Sequence, residues 1–273
     1  MSQMEGLVYA IANRKGGVGK TTTAITLAHG LARKIETEGG RVLLIDFDPQ
    51  GNVSASLQLS SGEYDLADLL LGTCGFKDCV ISANRPDHDL PRPNLFVVPA
   101  SDSLAEAKSE VMIKSVVGGR RATRLEDILQ EKLGFVRKLF DYIVVDCPPT
   151  LDTFSDAVYK FANEVIVPVK TDFLGEVGTA RHTDNILEAQ SYGIDIKIAC
   201  ILPTFYDRRL TIARSVLGDL VRHYGKASVA TPIPRSTVFE QAPAVNGQTI
   251  FEYQPGSMSA VAYQELVDRI HRI

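Results

Sequence analysis

Asn13-Arg14-Lys15-Gly16-Gly17-Val18-Gly19-Lys20-Thr21-Thr22-Thr23 is the stretch on which the fold turns. It follows a short apolar run, Leu7–Ala12, and opens a segment of helical length, Thr21–Glu38. A strand, a glycine-rich turn and a helix N-terminus together make an anion site. Glycines let successive backbone N–H groups converge on phosphate oxygens, and the helix dipole favours their negative charge. Lys20 falls where a side chain reaches the outer phosphates of a nucleotide, and Thr21 where a hydroxyl binds Mg2+. Three glycines, two lysines and three threonines between Lys15 and Thr23 exceed what a helix-capping loop needs.

Working outward, short runs rich in Val, Ile and Leu recur at Val42–Ile45, Leu95–Val98, Tyr142–Val145, Val165–Val169 and Ile196–Leu202. Apolar runs without polar alternation suit strands buried on both faces. Between them Arg124–Leu139, Thr153–Ala162, Val177–Ser191 and Leu210–Tyr224 have helical length. The alternation predicts an α/β fold, a doubly wound and mostly parallel sheet with helices on both faces. Ser82–Asn94, with three prolines, reads as a surface loop. The alternation resumes directly after it, so one domain over residues 1–273 is expected.

Composition narrows the function classes. Hydrophobic residues at 45% and charged ones at 23% exclude a disordered chain. With 29 Lys+Arg against 33 Asp+Glu the net charge is −4, so the surface as a whole does not attract nucleic acid or anionic lipid. Only a local basic patch would do so. No window approaches the roughly 18 apolar residues of a membrane span, and the first residues lack the pattern of an export signal. The four cysteines, at 74, 79, 147 and 200, fit neither a disulfide framework nor paired CxxC metal ligands. A reducing, cytoplasmic location is expected.

Two acidic motifs accompany the loop. The run Arg41–Ile45 ends in Asp46-Phe47-Asp48-Pro49-Gln50-Gly51-Asn52, and Tyr142–Val145 ends in Asp146-Cys147-Pro148-Pro149. Carboxylates at the carboxyl ends of buried strands face the crevice where such sheets bind ligands. Alternation sets Asp46 and Asp48 on one side if the strand runs that far.

The common loop pattern G-x-x-x-x-G-K-[ST] fails at its first position, which is Arg14. Instead Lys15 stands five residues before Lys20. KGGVGKTTT resembles the deviant Walker A motif of the ParA/MinD ATPases, LLIDFDPQGN resembles that family's second motif, and YIVVDCPP resembles its Walker B strand. The resemblance implies a P-loop NTPase of the deviant Walker A type, with ATP and Mg2+ as cofactors. Lys15, Gly16, Gly17, Val18, Gly19, Lys20, Thr21 and Thr22 would hold the nucleotide. Lys15 would reach across a dimer to the partner's phosphates, like an arginine finger acting in trans. Asp48 would position the attacking water. Thr21, Asp146 and, through a water, Asp46 would hold the metal.

Further matches lie towards the C-terminus. Thr231–Pro243 resembles the ParA stretch Ile-Pro-Arg-Asn-x-x-x-x-Glu-Ala-Pro, which carries the adenine contacts over to Pro234 and Ser236, the latter in place of asparagine. Phe205–Arg209 resembles the segment whose arginine contacts DNA phosphates. Arg209 takes that place, with Arg208 and Arg235 beside it, while the family's second arginine is Val238 here. Gly118-Gly119-Arg120-Arg121 resembles the family's Gly-Arg-x-x-x-Leu segment weakly. Pro168-Val169-Lys170-Thr171-Asp172-Phe173 departs from the Pro-x-Gln-x-Glu-Tyr of many ParA proteins.

The resemblance therefore implies a slow ATPase switch that forms a homodimer with ATP and is stimulated by a ParB-like or cargo-adaptor protein. It would bind nucleoid DNA without sequence preference and partition or position a plasmid, chromosome or protein cargo. No N-terminal DNA-binding domain is expected ahead of the loop. The alternative is a MinD-like membrane-associated positioning ATPase, for which Val261, Tyr263, Leu266, Val267, Ile270 and Ile273 would form the amphipathic stripe. Glu265 and Asp268 in that segment favour core packing, so membrane binding is not expected. A kinase or ligase acting on a small-molecule acceptor is a third class.

Overall fold

The computed structural model describes residues 5–60, 62–117, 124–149, 154–172, 190–191 and 193–271. The Gly118–Arg121 motif, Thr153, Phe173, Ile273 and nearly all of the segment Val177–Ser191 lie outside the described residues.

The apolar runs form a seven-stranded sheet: β1 (Leu7–Ile11), β2 (Val42–Asp46), β3 (Ile81–Ser82), β4 (Leu95–Val98), β5 (Tyr142–Asp146), β6 (Glu164–Lys170) and β7 (Lys197–Thr204). Their order across the sheet is β3-β4-β2-β5-β1-β6-β7. The short β3 pairs antiparallel to β4, and the other neighbours pair in parallel. The chain thus winds outward in both directions from its centre, the doubly wound α/β architecture the alternation predicts.

Period-two alternation divides each strand between two cores. Val8, Ala10, Leu43 and Ile45 join one, while Tyr9, Ile11, Val42 and Leu44 join the other. The second core is closed by α1 (Lys20–Ile35), whose apolar face packs against the sheet. The short α2 (Asn52–Leu57) adds Val53 and Leu57 to it. On the opposite face lie α3 (Leu66–Leu71), α4 (Phe76–Cys79), α5 (Ser103–Val117), α6 (Ile128–Leu133) and α7 (Ser155–Phe161), with α8 (Thr211–Tyr224) beside them. The chain then returns to the α1 side with α9 (Val238–Ala244), α10 (Ile250–Tyr253) and α11 (Met258–His271).

Three expectations change in detail. Arg124–Leu139 is not one helix but a 3-10 turn, α6 and a second 3-10 turn beginning at Gly134. A glycine in mid-segment lowers helix propensity and lets the chain tighten there. Ser82–Asn94 is not merely a surface loop, because Ala83, Leu90 and the Arg92 side chain are buried. Arg92 donates two hydrogen bonds to Glu252, at 2.8 and 2.6 Å, so a charged residue is paid for by a charged partner inside. Finally, β2 ends at Asp46, so Asp48 lies beyond the strand rather than on the same strand face.

The C-terminal stripe is committed to the core. Tyr263, Leu266, Val267 and Ile270 of α11 are buried in the α1-side cluster, and only Val261 of that stripe is exposed among the described residues.

Candidate nucleotide site

The loop between β1 and α1 is pinned from beneath. Asn13 Nδ2 donates to Pro168 O at 2.7 Å, its Oδ1 accepts from Lys15 N at 3.0 Å, and Thr204 Oγ1 donates to Val18 O at 2.9 Å. These bonds tie the loop to the ends of β6 and β7. Gly17 and Gly19 have φ of 67° and 88°, left-handed values that a side chain would strain. A Cβ built at Gly16 or Gly17 meets nothing within 4 Å, so open space stands over the loop. Gly19 caps α1, whose first-turn N–H groups point into that space.

The two lysines divide between two positions. Lys20 is buried, and its ammonium donates to Lys15 O at 3.1 Å, folded back onto the loop. Burial lowers its pKa, against the charges of Asp146 and Asp48, which raise it. The Lys15 ammonium instead turns outward to Asp172 Oδ1 at 2.8 Å, with Lys170 on the other oxygen of that carboxylate at 3.2 Å. Sequence reading did not anticipate Asp172 as the partner of Lys15.

Register brings the acids together. Asp46 and Asp146 are paired residues on neighbouring strands β2 and β5, and both are fully buried. Asp46 accepts backbone N–H groups on both oxygens, from Asp48 and from Val53, each at 3.1 Å. Burial nonetheless raises its pKa to about 6. Neither oxygen of Asp146 has a hydrogen-bond partner of good geometry among the described residues. Burial, and then the charge of Asp46, push its pKa far above the carboxylate range, while the Thr21 hydroxyl and the Lys20 ammonium favour the charged form. A buried carboxylate without a partner is costly unless a proton or a cation answers it. The donor set of Thr21, Asp146 and Asp46, all oxygen, therefore fits a hard divalent cation such as Mg2+. Asp48 is partly exposed at the mouth of the site, where its Oδ1 accepts from Gln50 N at 3.1 Å.

The C-terminal residues of the resemblance converge on one cleft. Beyond β7 the chain pairs with residues 233–235 through Tyr206 N to Ile233 O at 3.0 Å and Arg235 N to Tyr206 O at 2.9 Å. Pro234, Ser236, Arg208, Arg209 and Arg235 consequently line a single open cleft of about 870 Å³. Pro234 also borders a small slot with Gly19, Thr22, Phe205 and Phe239, next to the loop. Ser236 Oγ already accepts from Val238 N at 3.2 Å. Arg209 is clamped by Asp207, which accepts its Nε at 2.9 Å and Nη2 at 2.7 Å. That pairing pulls the Asp207 pKa down to about 2.

Phe205, named in the sequence only as the start of the Phe205–Arg209 segment, sits beside the phosphate loop. Its φ is +53°, rare for an aromatic residue, and its ring lies 3.7 Å from the Cβ position of Gly19. Strained backbone of this kind concentrates at functional sites. Its place directly after a strand end was the available signal.

A doubly wound sheet, a glycine loop at the helix N-terminus and paired strand-end acids define a P-loop nucleotidase with an extra lysine. Residues 6–198 match the family model described as an AAA domain. The chain is 33% identical over 267 residues to the chromosome-partitioning ATPase Soj of Treponema pallidum, covering 97% of each chain. It is 33% identical to the chromosome partitioning protein ParA of Caulobacter vibrioides, over 96% of this chain and 93% of that one. Among solved structures, the cobyrinic acid a,c-diamide synthase of Mycobacterium smegmatis with bound ADP and magnesium superposes with a TM-score of 0.76, at 30% identity, covering 98% of this chain and 94% of that one. The chain belongs to the ParA/Soj-type partitioning ATPases of the ParA/MinD family. It is a ParA-like positioning ATPase.

Proposed function

We propose that this chain is an ATP-driven dimerising switch that binds DNA of any sequence and positions a plasmid, chromosome or protein cargo. The observation that carries the reading is the division between the two lysines. Lys20 bonds back to its own loop, whereas Lys15 reaches away from it to a partly exposed carboxylate, from which it can exchange Asp172 for a partner's phosphates. Two cations at one loop repel until polyphosphate arrives, which couples nucleotide to dimerisation. One sheet with a core on each face supports a single ATPase domain over residues 1–273.

Within that reading, Gly16, Gly17, Val18 and Gly19 present backbone N–H groups to the phosphates, with Lys20, Thr21 and Thr22 at the helix start. Thr21, Asp146 and, through a water, Asp46 hold Mg2+, which when bound neutralises charge on the phosphates. Asp48, at the mouth, orients the attacking water. Lys15 from the partner subunit stabilises charge on the transferred phosphoryl group. Phe205 and Pro234 flank the adenine, with Ser236 nearby. Arg208, Arg209 and Arg235 face phosphates of the duplex. A ParB-like or cargo-adaptor protein accelerates an otherwise slow hydrolysis, and the protein resides on the nucleoid in the cytoplasm. Among the described residues no helix is long and apolar enough to cross a membrane.

Size-exclusion chromatography with a non-hydrolysable ATP analogue and Mg2+, followed by mobility shift on unrelated duplexes and sedimentation with anionic liposomes, tests the reading. A nucleotide-dependent dimer that shifts all duplexes alike is expected. A persistent monomer at micromolar protein overturns the switch, and binding to liposomes alone replaces DNA by membrane as the surface.

A further inference from the structure

We infer that Lys108 is a positioning residue for ATP hydrolysis, its buried ammonium fixing the Phe47–Asp48 peptide and so aiming the Asp48 carboxylate. The inference rests on the assignment of Asp48 to the attacking water. Lys108 lies on α5 and is 6% exposed, although a helical lysine ordinarily keeps its ammonium in water. Its Nζ donates to Phe47 O at 3.2 Å. It also stands 4.1 Å from the centroid of the Phe47 ring and 5.7 Å from that of Phe154. Both rings are buried, with their centroids 6.0 Å apart. A cation over desolvated aromatic faces is held more firmly than one in water.

Phe47 is the residue between the two aspartates of the second motif, and it is held at both ends. Its amide donates to Asp146 O at 2.9 Å, and its carbonyl accepts from Lys108. That carbonyl shares a peptide unit with the N–H of Asp48, which donates to Asp46 Oδ1 at 3.1 Å. A cation on the carbonyl oxygen polarises the peptide and strengthens the donor on its other side. Asp146, Asp46 and Asp48 are thereby linked through one residue whose orientation Lys108 sets from the core. On the solvent side the same turn closes through Gln50 N to Asp48 Oδ1. Methionine would fill this space without the desolvation cost of an ammonium, so packing does not explain a lysine here.

Sequence alone gave no sign of this role. A lysine on a helix reads as a solvated side chain, and 61 residues separate it from Phe47.

The test uses the full chain with Lys108→Met, which keeps volume and removes charge, and Lys108→Arg, which keeps charge. Thermal midpoint, affinity for a fluorescent ATP analogue with Mg2+, and single-turnover hydrolysis are measured for each. Lys108→Met is expected to hold nucleotide affinity and midpoint while hydrolysis slows about 10- to 100-fold, the cost of a displaced catalytic group. Lys108→Arg should recover part of that rate. Should Lys108→Met not fold, Lys108→Gln carries the same expectation. An unchanged rate, a rate and nucleotide affinity that fall together, or no recovery with arginine overturns the inference. Asp48→Ala runs alongside. If Asp48→Ala hydrolyses at the wild-type rate, the Asp48 assignment fails and takes the inference with it. If Asp48→Ala is slow and Lys108→Met is not, the inference alone fails. The double variant should be no slower than Asp48→Ala, since two residues acting through one carboxylate are not additive.

Discussion

On the proposed reading, Asp172 competes with phosphate for Lys15, to which it is paired at 2.8 Å. Burial works against its charge, but hydrogen bonds from Lys15 and Lys170 prevail and hold its pKa below the ordinary carboxylate value. The Lys15–Asp172 pair has side chains 25% and 38% exposed, so water screens it. Such pairs contribute at most about 1 kcal/mol. Asp172→Asn should therefore lower the ATP concentration for half-maximal dimerisation by no more than about fivefold, as measured by sedimentation velocity. A variant that needs more ATP would show that Asp172 assists the dimer rather than restraining Lys15. Two further substitutions separate binding from chemistry. Lys20→Ala removes the buried ammonium that bonds to the loop and should abolish binding of a fluorescent ATP analogue. Asp48→Ala leaves the loop intact, so nucleotide binding should persist while hydrolysis slows by about 10²–10⁴, and the variant should accumulate as an ATP-bound dimer.

At the scale of elements, α1 joins the phosphate loop to the C-terminal helices through buried contacts. His29 Nδ1 lies 2.7 Å from Thr249 Oγ1, and Nε2 lies 3.8 Å from Glu252. Burial is the main cause of a pKa lowered to about 4; Glu252 opposes it, and Arg92 and Arg33 add to it. The unfolded chain takes up this proton near pH 6.5, the native chain only near 4. Between those values the unfolded state binds more protons, so stability falls as pH falls and is fully present above about 6.5. The contribution is at most about 3 kcal/mol. Thermal midpoints taken from pH 7 to 4.5 should drop, and His29→Gln should flatten the drop. An unaltered pH dependence in that variant would assign the effect to other groups. On the next residue, a Cβ at Gly30 would lie 2.4 Å from Val267 Cγ2 and 2.9 Å from the Phe251 ring. Gly30→Ala gains helix propensity of about 1 kcal/mol, yet overpacking of a full core costs about 1–3 kcal/mol. The neighbours are buried and fixed, so the clash should win, and chemical denaturation should show a net loss.

Over the whole molecule, a net charge of −4 opposes approach to DNA, so on the proposed reading binding would have to come from the concentrated arginines of the cleft. The proposed dimer would double that patch and let both halves engage one duplex. Arg209→Ala should weaken binding to all duplexes alike and reduce the log–log salt slope by about 0.9, with ATP-driven dimerisation unchanged. Asp207→Asn should act in the opposite sense, because Asp207 occupies Arg209 before DNA does. A sequence-dependent loss in either titration would mean base readout rather than phosphate contact. What the sequence determined by itself was local. The apolar runs became strands within a residue or two, the glycine loop opened α1, and the acids stood at strand ends, because each is written in neighbouring residues and their period. Tertiary structure decided which of these groups meet. Lys15 finds Asp172 across 157 residues, Arg92 finds Glu252 across 160, and the clamp of Asp207 on Arg209 changes what an arginine cluster offers. The surface loop read at Ser82–Asn94 holds a buried arginine for the same reason. Hydrophobic periodicity tells a segment which face to bury, but the partner of a charged side chain depends on which elements are stacked against it, and that is fixed only when the sheet has its order.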